Sequence, residues 1–331
     1  MAVVGAGSWG TAVAALATRH ASCVLWARRA ELARAIEAQH RNPEYLPDHP
    51  LPGALGCSSE LAEVLAGADV IVMAVPSHGF RAILEQAAPH TRPGVPVVSL
   101  TKGLEQATLH RMSEVVAEVL PGHPAGVLTG PNLAREVMAG HPAASVIAMA
   151  EEDWARQLQK LFSTEAFRVY TNPDVVGCEL AGALKNVMAI ASGMADGLGF
   201  GDNTRAALIT RGLAELSRLG IALGGDPLTF SGLAGMGDLV ATCTSRQSRN
   251  RHVGEQLGRG RSLAEVTAEM NMVAEGVKTS PAVVELAARH EVETPIAQQV
   301  VEVLYHGKPA VEVIPALMRR EVKPELHGIR H

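Results

Sequence analysis

Gly5-Ala6-Gly7-Ser8-Trp9-Gly10 is the stretch that decides the fold of the first half of this chain. The apolar segment Ala2–Val4 before it predicts a strand, and the alanine-rich segment Thr11–Arg19 after it predicts a helix. In a GxGxxG pattern the three glycines allow a tight turn, close approach of the backbone to a pyrophosphate, and close packing of the helix on the strand. The segment therefore predicts a dinucleotide-binding turn at a helix N-terminus, the alternative being a purely structural glycine turn.

Strands and helices continue to alternate up to about residue 172. The segment Val70–Val75 is entirely apolar and ends at Pro76, a pattern typical of a buried parallel strand. This alternation predicts a doubly wound parallel sheet. Further strands are predicted at Cys23–Trp26, Val97–Leu100, Ala125–Leu128, Ala143–Met149 and Phe167–Tyr170, and further helices at Ala30–Gln39 and Glu152–Leu161.

After Asn172-Pro173 the pattern changes to helical spacing with Gly and Asp between the segments. The predicted organisation is an α/β Rossmann-type doubly wound domain over residues 1–172 and an all-α domain over residues 173–331. The helical segments that support the second domain are Ala181–Met194, Thr204–Leu219, Leu263–Met270 and Pro281–Arg289.

The composition narrows the class of partner. A length of 331 residues corresponds to two domains at about 150 residues each. The formal net charge of −5 argues against a nucleic-acid coat protein and against a basic membrane-surface protein. No apolar run approaches the length of a membrane span, and the N-terminus lacks the features of a signal peptide. The expected partner is a small molecule, with no nucleic acid and no membrane span.

The cysteines and histidines give no metal or redox signal. Cys23, Cys57, Cys178 and Cys243 form no CxxC motif, so they are predicted to be reduced thiols in a cytoplasmic protein. The 13 histidines include no HExxH pattern and no cluster with cysteines, so no metal site is expected.

Two arginines follow the predicted second strand. A site for NAD carries an Asp or Glu at this position to hold the ribose 2′-hydroxyl. Here the position is occupied by Ala27-Arg28-Arg29, and guanidinium groups suit a 2′-phosphate. Arg28 and Arg29 therefore favour NADPH, with NADH possible; alternatively they are a solvated pair in a turn.

Lys185 is one of only six lysines and lies in the apolar helical segment 179–190. No acidic residue lies three or four positions away to pair with it. Such a lysine either extends to the surface or is held at a site. A partly desolvated ammonium has a lowered pKa and can exchange a proton near neutral pH, so Lys185 is the candidate general acid–base.

Two further charged residues follow structural breaks. Lys102 comes directly after a predicted parallel strand, where the ligand crevice of such sheets lies; the alternative is a solvated loop lysine. Asp238 follows a glycine turn in Gly235-Met-Gly-Asp238, either as a helix cap or as a group that binds substrate hydroxyls or orients Lys185.

The segment Ser245–Arg251 is compact, polar and basic. Its guanidinium and amide groups suit one phosphate, the alternative being a solvated arginine-rich loop. No aromatic residue occurs from Ser231 to Leu304 to stack on bases, which makes a nucleic-acid site less favoured.

Taken together, these residues resemble the bacterial NAD(P)-dependent glycerol-3-phosphate dehydrogenases. The resemblance runs from residue 5 to about residue 310 and rests on long ordered blocks. These blocks are Gly5–Thr11, Thr129–Ala134, Glu179–Asn186, Gly197–Arg205, Gly232–Asp238, Ser248–Arg251 and Val273–Gly276.

The resemblance implies the reversible reduction of dihydroxyacetone phosphate to sn-glycerol 3-phosphate, a step of glycerophospholipid synthesis. It implies Lys185 as proton donor and acceptor, and Lys102 and Arg249 as contacts of both cofactor and substrate. The other implied substrate contacts are Gly130, Asn132, Asp238, Ser248 and Asn250, and the other implied cofactor contacts are Gly5, Gly7, Ser8, Trp9, Gly10, Arg28, Arg29, Tyr45, Ala134, Val273 and Glu275.

Two other functions compete with this one. The first is a reductase of the same architecture that acts on a hydroxy or keto acid, which would need a carboxylate clamp instead of a phosphate site. The second is a non-catalytic nucleotide sensor, which would bind NADPH without oxidising it. The apolar helical domain makes a homodimer plausible.

Overall fold

The computed structural model describes residues 1–270, 274–325 and 327. The chain forms two compact units. The first contains Met1–Thr101 and Arg111–Val175, and the second contains Lys102–His110 and the described residues from Val176 onward.

The first unit is built on an eight-stranded sheet, with a separate two-stranded antiparallel pair. Its strands are β1 (Ala2–Val4), β2 (Cys23–Trp26), β3 (Arg41–Asn42), β4 (Leu46–Pro50), β5 (Leu55–Ser58), β6 (Ile71–Met73), β7 (Val97–Ser99), β8 (Ala125–Thr129), β9 (Ala143–Met149) and β10 (Phe167–Asn172). Its helices are α1 (Ser8–Ala17), α2 (Ala30–Gln39), α3 (Leu61–Leu65), α4 (Ser77–Ala87), α5 (Met112–Val119), α6 (Ala134–Met138) and α7 (Glu152–Phe162).

The strand order confirms the doubly wound class. The large sheet runs β10-β9-β8-β7-β6-β1-β2-β5, so the chain starts in the middle and winds to both sides, as in Rossmann folds. The predicted parallel sheet has one antiparallel pair, formed by β8 and β9. β9 and β10 are again parallel to each other.

Alternation along the central strands divides the apolar side chains between two clusters. Val3 packs in one cluster with Leu25 and Val72, while Ala2 and Val4 belong to the other. Because successive side chains of a strand point to opposite faces, a wholly apolar strand needs cover on both faces. The helices between the parallel strands provide this cover.

The second unit is helical. Its helices are α8 (Val175–Gly197), which begins at the last residue of the first unit, α9 (Asp202–Ala222), α10 (Pro227–Ser231), α11 (Asp238–Thr244), α12 (Arg249–Gly258), α13 (Leu263–Ala268), α14 (Glu275–Arg289), α15 (Pro295–Tyr305) and α16 (Val313–Met318). The predicted helical segments correspond to α8, α9, α13 and α14. Three of these helices start earlier than their apolar spacing indicates, and α13 ends at Ala268 instead of the predicted Met270.

Helix α8 is the core of this unit. Every residue from Gly177 to Ala195 is buried, including Glu179 and Lys185. Among the described residues, α8 alone has the length and composition of a membrane-crossing helix, but 89% of its most apolar window is buried inside the protein. Its apolar character is therefore explained by its central position.

The short segment Lys102–His110 belongs to the helical unit, although only two residues separate it from β7. Leu104 and Leu109 lie in the apolar core of the second unit. The Asn186 side-chain amide donates to the Lys102 carbonyl at 2.9 Å, and the Gln106 amide donates to the Lys278 carbonyl at 2.7 Å. The predicted division at residue 172 assigns this segment to the first domain, whereas its contacts place it in the second unit.

Helices α8 and α12 approach each other through glycines. A Cβ atom on Gly254 would lie 2.0 Å from the Ile190 carbonyl oxygen and 2.9 Å from the Met194 nitrogen. These are backbone atoms of a buried helix, so they cannot move aside as a flexible side chain can.

We expect Gly254→Ala to destabilise the protein by about 1–3 kcal/mol, the usual range for overpacking of a core. The midpoint of urea unfolding measures this loss. The matched control is Gly79→Ala in α4, where a Cβ meets nothing within 4 Å among the described residues. Because alanine favours helix, the control is expected to be neutral or slightly stabilising, and equal midpoints for the two variants would contradict the packing argument.

Candidate active site

The turn between β1 and α1 has the shape of a phosphate-binding loop. A Cβ on Gly5 (φ +124°) would lie 2.5 Å from the Ala74 carbonyl oxygen, and a Cβ on Gly10 would lie 2.1 Å from the Gly5 carbonyl oxygen. A Cβ on Gly7 meets nothing within 4 Å among the described residues. Gly7 also precedes the N-terminus of α1, which carries no side-chain cap and no acidic residue in its first turn. The open side of the loop therefore suits an anion.

Asn42 holds this loop in place from the β3–β4 pair. Its buried amide donates to the Ala6 carbonyl at 2.8 Å and to the Thr11 hydroxyl at 2.9 Å. Its oxygen accepts from the Tyr45 nitrogen at 3.1 Å, and the Ser8 hydroxyl donates to the Tyr45 carbonyl at 3.0 Å. The structure thus brings Tyr45 beside the glycine loop. The role of Asn42 was missed, because nothing in its local sequence indicates this contact.

The two arginines after β2 are exposed but differ in their partners. Arg29 forms an ion pair with Glu44, which raises the pKa of Arg29 above its ordinary value through a side-chain hydrogen bond. Arg28 makes no hydrogen bond or ion pair within the described part of the chain. Arg28 is therefore the better placed of the two to bind an added phosphate.

The other predicted residues of the first unit lie at strand ends and in the core. The Trp9 ring packs 5.9 Å from the Phe167 ring, and its buried indole nitrogen has no acceptor in the described residues. Gly130 follows β8 with φ +125°, and Ala134 begins α6. Asn132, between them, is partly buried.

Two lysines and one carboxylate meet in the second unit. Lys185 Nζ lies 2.7 Å from Asp238 Oδ1, and Lys102 Nζ lies 2.7 Å from Asp238 Oδ2. Lys185 Nζ also donates to the Thr242 hydroxyl oxygen at 2.5 Å, while that hydroxyl donates to the Asp238 carbonyl at 2.6 Å. Lys185 and Asp238 are 5% and 2% exposed, so Lys185 does not extend to the surface.

Asp238 does not cap α11. The helix follows a π-helical turn over Leu233–Gly237, and the residue before its first turn is Gly237. Asp238 is the first helical residue, and both its carboxylate oxygens accept from lysines. Thr242, one turn later, lies on the same face and completes the group.

The charge of this cluster favours an anion. The ammonium groups of Lys102 and Lys185 share the Asp238 carboxylate in a buried environment, where charges interact more strongly than in water. Burial lowers the pKa of Lys102 to about 8; the carboxylate of Asp238 raises that pKa, and the neighbouring Lys185 ammonium lowers it. The excess positive charge would be balanced by an anionic or electron-rich ligand.

A chain of amides connects this cluster to α12 and α14. The Asn250 amide donates to the Asn186 oxygen at 2.8 Å, and the Asn250 oxygen accepts from the Gly276 nitrogen at 2.9 Å. The Asn186 amide also donates to the Lys102 carbonyl. Asn186 directly follows Lys185 in α8. These contacts bring the predicted residue Asn250 beside the lysine cluster. Nothing in the sequence indicates a role for Asn186 or Thr242 except their positions near Lys185 and Asp238.

The predicted basic patch lies at the N-terminus of α12. The buried Ser248 hydroxyl accepts from the Arg251 nitrogen at 3.2 Å and caps the helix, while Arg249 is exposed in the first turn. Glu275 begins α14 beside Gly276. Val273 lies outside the described residues.

Residues 1–270, 274–325 and 327 contain no group of three or more His, Cys, Asp or Glu side chains that could hold a metal ion. Within the same residues the four cysteines form no disulfide. Burial raises the pKa of the Cys243 thiol to about 12, so this thiol stays protonated beside the lysine cluster.

The sheet order, the glycine loop and the buried lysine–carboxylate cluster define the class of this protein. The first unit has a Rossmann-type fold with a glycine loop suited to an anion, and a helical unit follows it in the chain.

Comparison with known proteins identifies the family. The family model "NAD-dependent glycerol-3-phosphate dehydrogenase N-terminus" matches residues 1–155, and the corresponding "C-terminus" model matches residues 174–315. The chain is 60% identical to "Glycerol-3-phosphate dehydrogenase [NAD(P)+] 2" of Sphingopyxis alaskensis over 98% of both chains. It is 52% identical to a glycerol-3-phosphate dehydrogenase [NAD(P)+] of Mycobacterium avium over 98% of this chain and 96% of the relative.

The crystal structure of glycerol-3-phosphate dehydrogenase from Coxiella burnetii matches this fold with a TM-score of 0.92 and 38% identity, covering 96% of this chain and 98% of that one. The chain therefore belongs to the NAD-dependent glycerol-3-phosphate dehydrogenase family, and the resemblance stated above is confirmed.

Proposed function

We propose that this protein is an NAD(P)-dependent oxidoreductase that reduces dihydroxyacetone phosphate reversibly to sn-glycerol 3-phosphate and so supplies glycerophospholipid synthesis. Membership of the family supports the reaction. The observation that carries its chemistry is the buried Lys185 ammonium, held by Asp238 and Thr242 beside Lys102.

A nicotinamide cofactor held at the glycine loop would supply the hydride for ketone reduction. As negative charge develops on the ketone oxygen, Lys185 Nζ donates a proton to it, and in the reverse direction neutral Lys185 accepts the hydroxyl proton. The Asp238 carboxylate and the Thr242 hydroxyl fix the direction of Nζ, so that little reorganisation is needed when charge develops.

Lys102 contributes a second positive charge on the other oxygen of Asp238. We assign it to contacts with substrate and cofactor oxygens. The amide chain through Asn186 and Asn250 positions the Lys102 backbone.

The phosphate group takes no part in the chemistry but orients the reacting carbon. We assign its binding to Arg249, Ser248 and Asn250 at the N-terminus of α12, together with Gly130 and Asn132. Ser248 and Asn250 already have internal hydrogen bonds, so their contacts with phosphate use the remaining hydroxyl hydrogen and amide hydrogen. The exposed Arg249 guanidinium supplies the charge.

Replacing Arg249 by alanine is expected to raise the KM for dihydroxyacetone phosphate about 10- to 100-fold, as the loss of a charged hydrogen bond implies. We expect a smaller change in kcat. The matched control is Arg246→Ala, which removes an exposed arginine three residues earlier in the same patch and should leave KM unchanged. Equal KM values for the Arg249 variant and the unaltered protein would place the phosphate elsewhere.

We assign residues 1–172, apart from the inserted segment Lys102–His110, as the nucleotide-binding domain. We assign residues 173–331, together with that segment, as the substrate and catalytic domain. We propose a preference for NADPH over NADH, supported by the exposed Arg28 and its ion-paired neighbour Arg29. The remaining contacts that we assign to the cofactor are Gly5, Gly7, Ser8, Trp9, Gly10, Tyr45, Lys102, Ala134, Arg249, Val273 and Glu275.

We further propose a cytoplasmic homodimer. Four cysteines without a disulfide in the described chain support a reducing compartment. Leu228, Met236 and Val240 are exposed on the helical unit and support an apolar contact between copies. Sedimentation of the full chain tests the dimer, and a monomer at micromolar concentration would contradict it.

The experiment that tests the function follows the absorbance of reduced nicotinamide. The protein is mixed with NADPH and dihydroxyacetone phosphate, with unphosphorylated dihydroxyacetone as the control. Rapid loss with the phosphate ester alone is expected, and the same assay with NADH measures the cofactor preference. If the protein binds NADPH but oxidises it with neither ketone, the function is wrong, and keto acids are the next substrates to test.

A further inference from the structure

The helical unit contains a cavity of about 630 Å³ formed by α9, α15, α16 and the segment that follows α16. This volume lies within the range of about 300–1,000 Å³ that is usual for small-molecule sites. None of its lining residues belongs to the cluster of Lys102, Lys185, Asp238 and Thr242 or to the basic patch Ser245–Arg251.

One face of α9 gives the cavity its charge. Leu208, Arg211, Glu215 and Arg218 recur at intervals of three and four residues, so they lie on the same side of the helix. A face that only packs against neighbouring helices would be apolar at these positions. Two arginines and a glutamate here indicate a polar role.

In the described part of the chain, the hydrogen-bond partners of the two arginines are neutral backbone carbonyls. Arg211 donates to the Glu325 carbonyl at 3.0 Å, and Arg218 donates to the His327 and Glu293 carbonyls at 3.4 and 3.5 Å. Within the described residues neither guanidinium lies within 4.0 Å of a carboxylate, and Arg218 Nε is buried without any acceptor. Burial lowers the pKa of Arg218 below its ordinary value.

Two of the three described acids that line the cavity already have partners, and the third, Glu321, is exposed to solvent. The buried Glu215 carboxylate accepts from the backbone nitrogens of Ile296 and Ala297 at 2.8 and 3.3 Å and so faces the N-terminus of α15. Glu293 accepts from Lys323 at 2.8 Å and from Arg320 at 3.1 Å. Arg211 and Arg218 are therefore the cations that remain for an added anion.

The rest of the wall includes apolar side chains, namely Leu208, Ile296, Ile314 and Leu317. A small inorganic anion would leave this part of the cavity unused. A neutral hydrocarbon would leave the two guanidiniums without a counter-charge. The chemistry of the wall fits a molecule that has both parts.

We propose that this cavity is a second ligand site, which binds amphipathic anions through Arg211 and Arg218 and holds their hydrocarbon part against Ile296, Ile314 and Leu317. A carboxylate or a phosphate monoester can serve as the head group, because each offers oxygens to two guanidiniums. In the bound state the head group replaces the carbonyls of the C-terminal segment as the hydrogen-bond acceptor of Arg211 and Arg218.

Isothermal titration of the full chain tests this site with decyl phosphate and with decanoate, each below its micellar concentration. Decanol and inorganic phosphate test the two halves of the ligand separately. We expect binding of at least one amphipathic anion, at least about tenfold tighter than either half. The probe that binds more tightly, decyl phosphate or decanoate, identifies the preferred head group. Binding of decanol as tight as that of both acids, or no binding of any probe, would overturn the proposal.

Two sets of variants locate the binding. The double variant Arg211→Met/Arg218→Met should weaken binding about tenfold or more, because it removes charge-assisted hydrogen bonds. Leu317→Asp should weaken it by repelling the hydrocarbon and the anion while leaving both arginines. Arg289→Met is the control, since Arg289 is exposed and pairs with Glu285 on α14 outside the cavity.

Circular dichroism confirms that each variant is folded, and the two sets keep the test valid if one variant does not fold. Unaltered affinity in a folded variant of either set would contradict the assigned site. Because the titration measures no turnover, its outcome is independent of whether the proposed reaction is correct.

Discussion

Lys185→Met is expected to lower kcat for ketone reduction by about 10²- to 10⁴-fold, the usual contribution of a positioned general acid. The loss is expected in kcat because, in the proposed mechanism, Lys185 acts on the oxygen where charge develops, while the nucleotide is assigned to other residues. Stopped-flow measurement of NADPH oxidation gives kcat, and fluorescence titration gives the NADPH affinity, which should be unchanged. Asp238 keeps Lys102 as a partner in this variant, so the fold is expected to survive.

Two comparisons sharpen this test. Lys160→Met removes an exposed lysine at the end of α7 and should leave kcat unaltered. Lys185→Arg keeps the positive charge but brings a planar guanidinium that does not release its proton in the accessible pH range, so it should remain nearly inactive. Normal turnover in Lys185→Met would remove Lys185 from the mechanism, and normal turnover in Lys185→Arg would show that charge alone is sufficient.

Asp238→Asn is expected to affect both lysines at once. The change leaves two buried ammoniums beside a neutral amide, and removal of one partner from a buried ion pair costs about 3–5 kcal/mol. We also expect kcat to fall about 10²- to 10³-fold, as when a preorganised electrostatic group is lost. The midpoint of urea unfolding and steady-state kinetics measure the two effects.

The same variant has a directional effect on pH dependence. The Asp238 carboxylate raises the pKa of Lys102, which burial has lowered to about 8. Without the carboxylate the pKa of Lys102 falls further, so Lys102 loses its charge at lower pH. We therefore expect the alkaline limb of the kcat/KM profile to move to lower pH. An alkaline limb at its original pH would show that Lys102 does not need its charge for this reaction.

A double variant separates stability from catalysis. Adding Lys102→Met to Asp238→Asn removes one of the two unbalanced ammoniums, so part of the lost stability should return while activity should not. If the double variant unfolds at the same urea concentration as Asp238→Asn, repulsion between Lys102 and Lys185 is not the cause of the instability.

The sequence predicts the first unit well because its signals are local. The GxGxxG turn and the apolar strand runs each lie within ten residues, and the structure places strands at those positions. The antiparallel direction of β9 has no such signal. It depends on how the short connection through α6 returns the chain to the sheet, and the composition of β9 is the same for either direction.

The candidate site was predicted less completely, since its arrangement depends on contacts between distant residues. Lys185 stands out in the sequence because it is a lysine in an apolar helix. The importance of Asp238 comes from its contact with Lys185, which lies 53 positions away in the chain. Asn42 and Asn186 act by bridging separate segments, and an isolated asparagine in a sequence gives no indication of what it bridges.

The segment Lys102–His110 determines how this architecture can be divided. The helical half is not one continuous stretch of sequence. Nine of its residues lie between two segments of the sheet half. A gene fragment that begins at residue 176 would lack Leu104 and Leu109 from its core, and would also lack the ammonium that shares Asp238. Exchange of the helical half between relatives, by recombination or by protein engineering, therefore requires two crossovers around this insert in addition to the one at the junction.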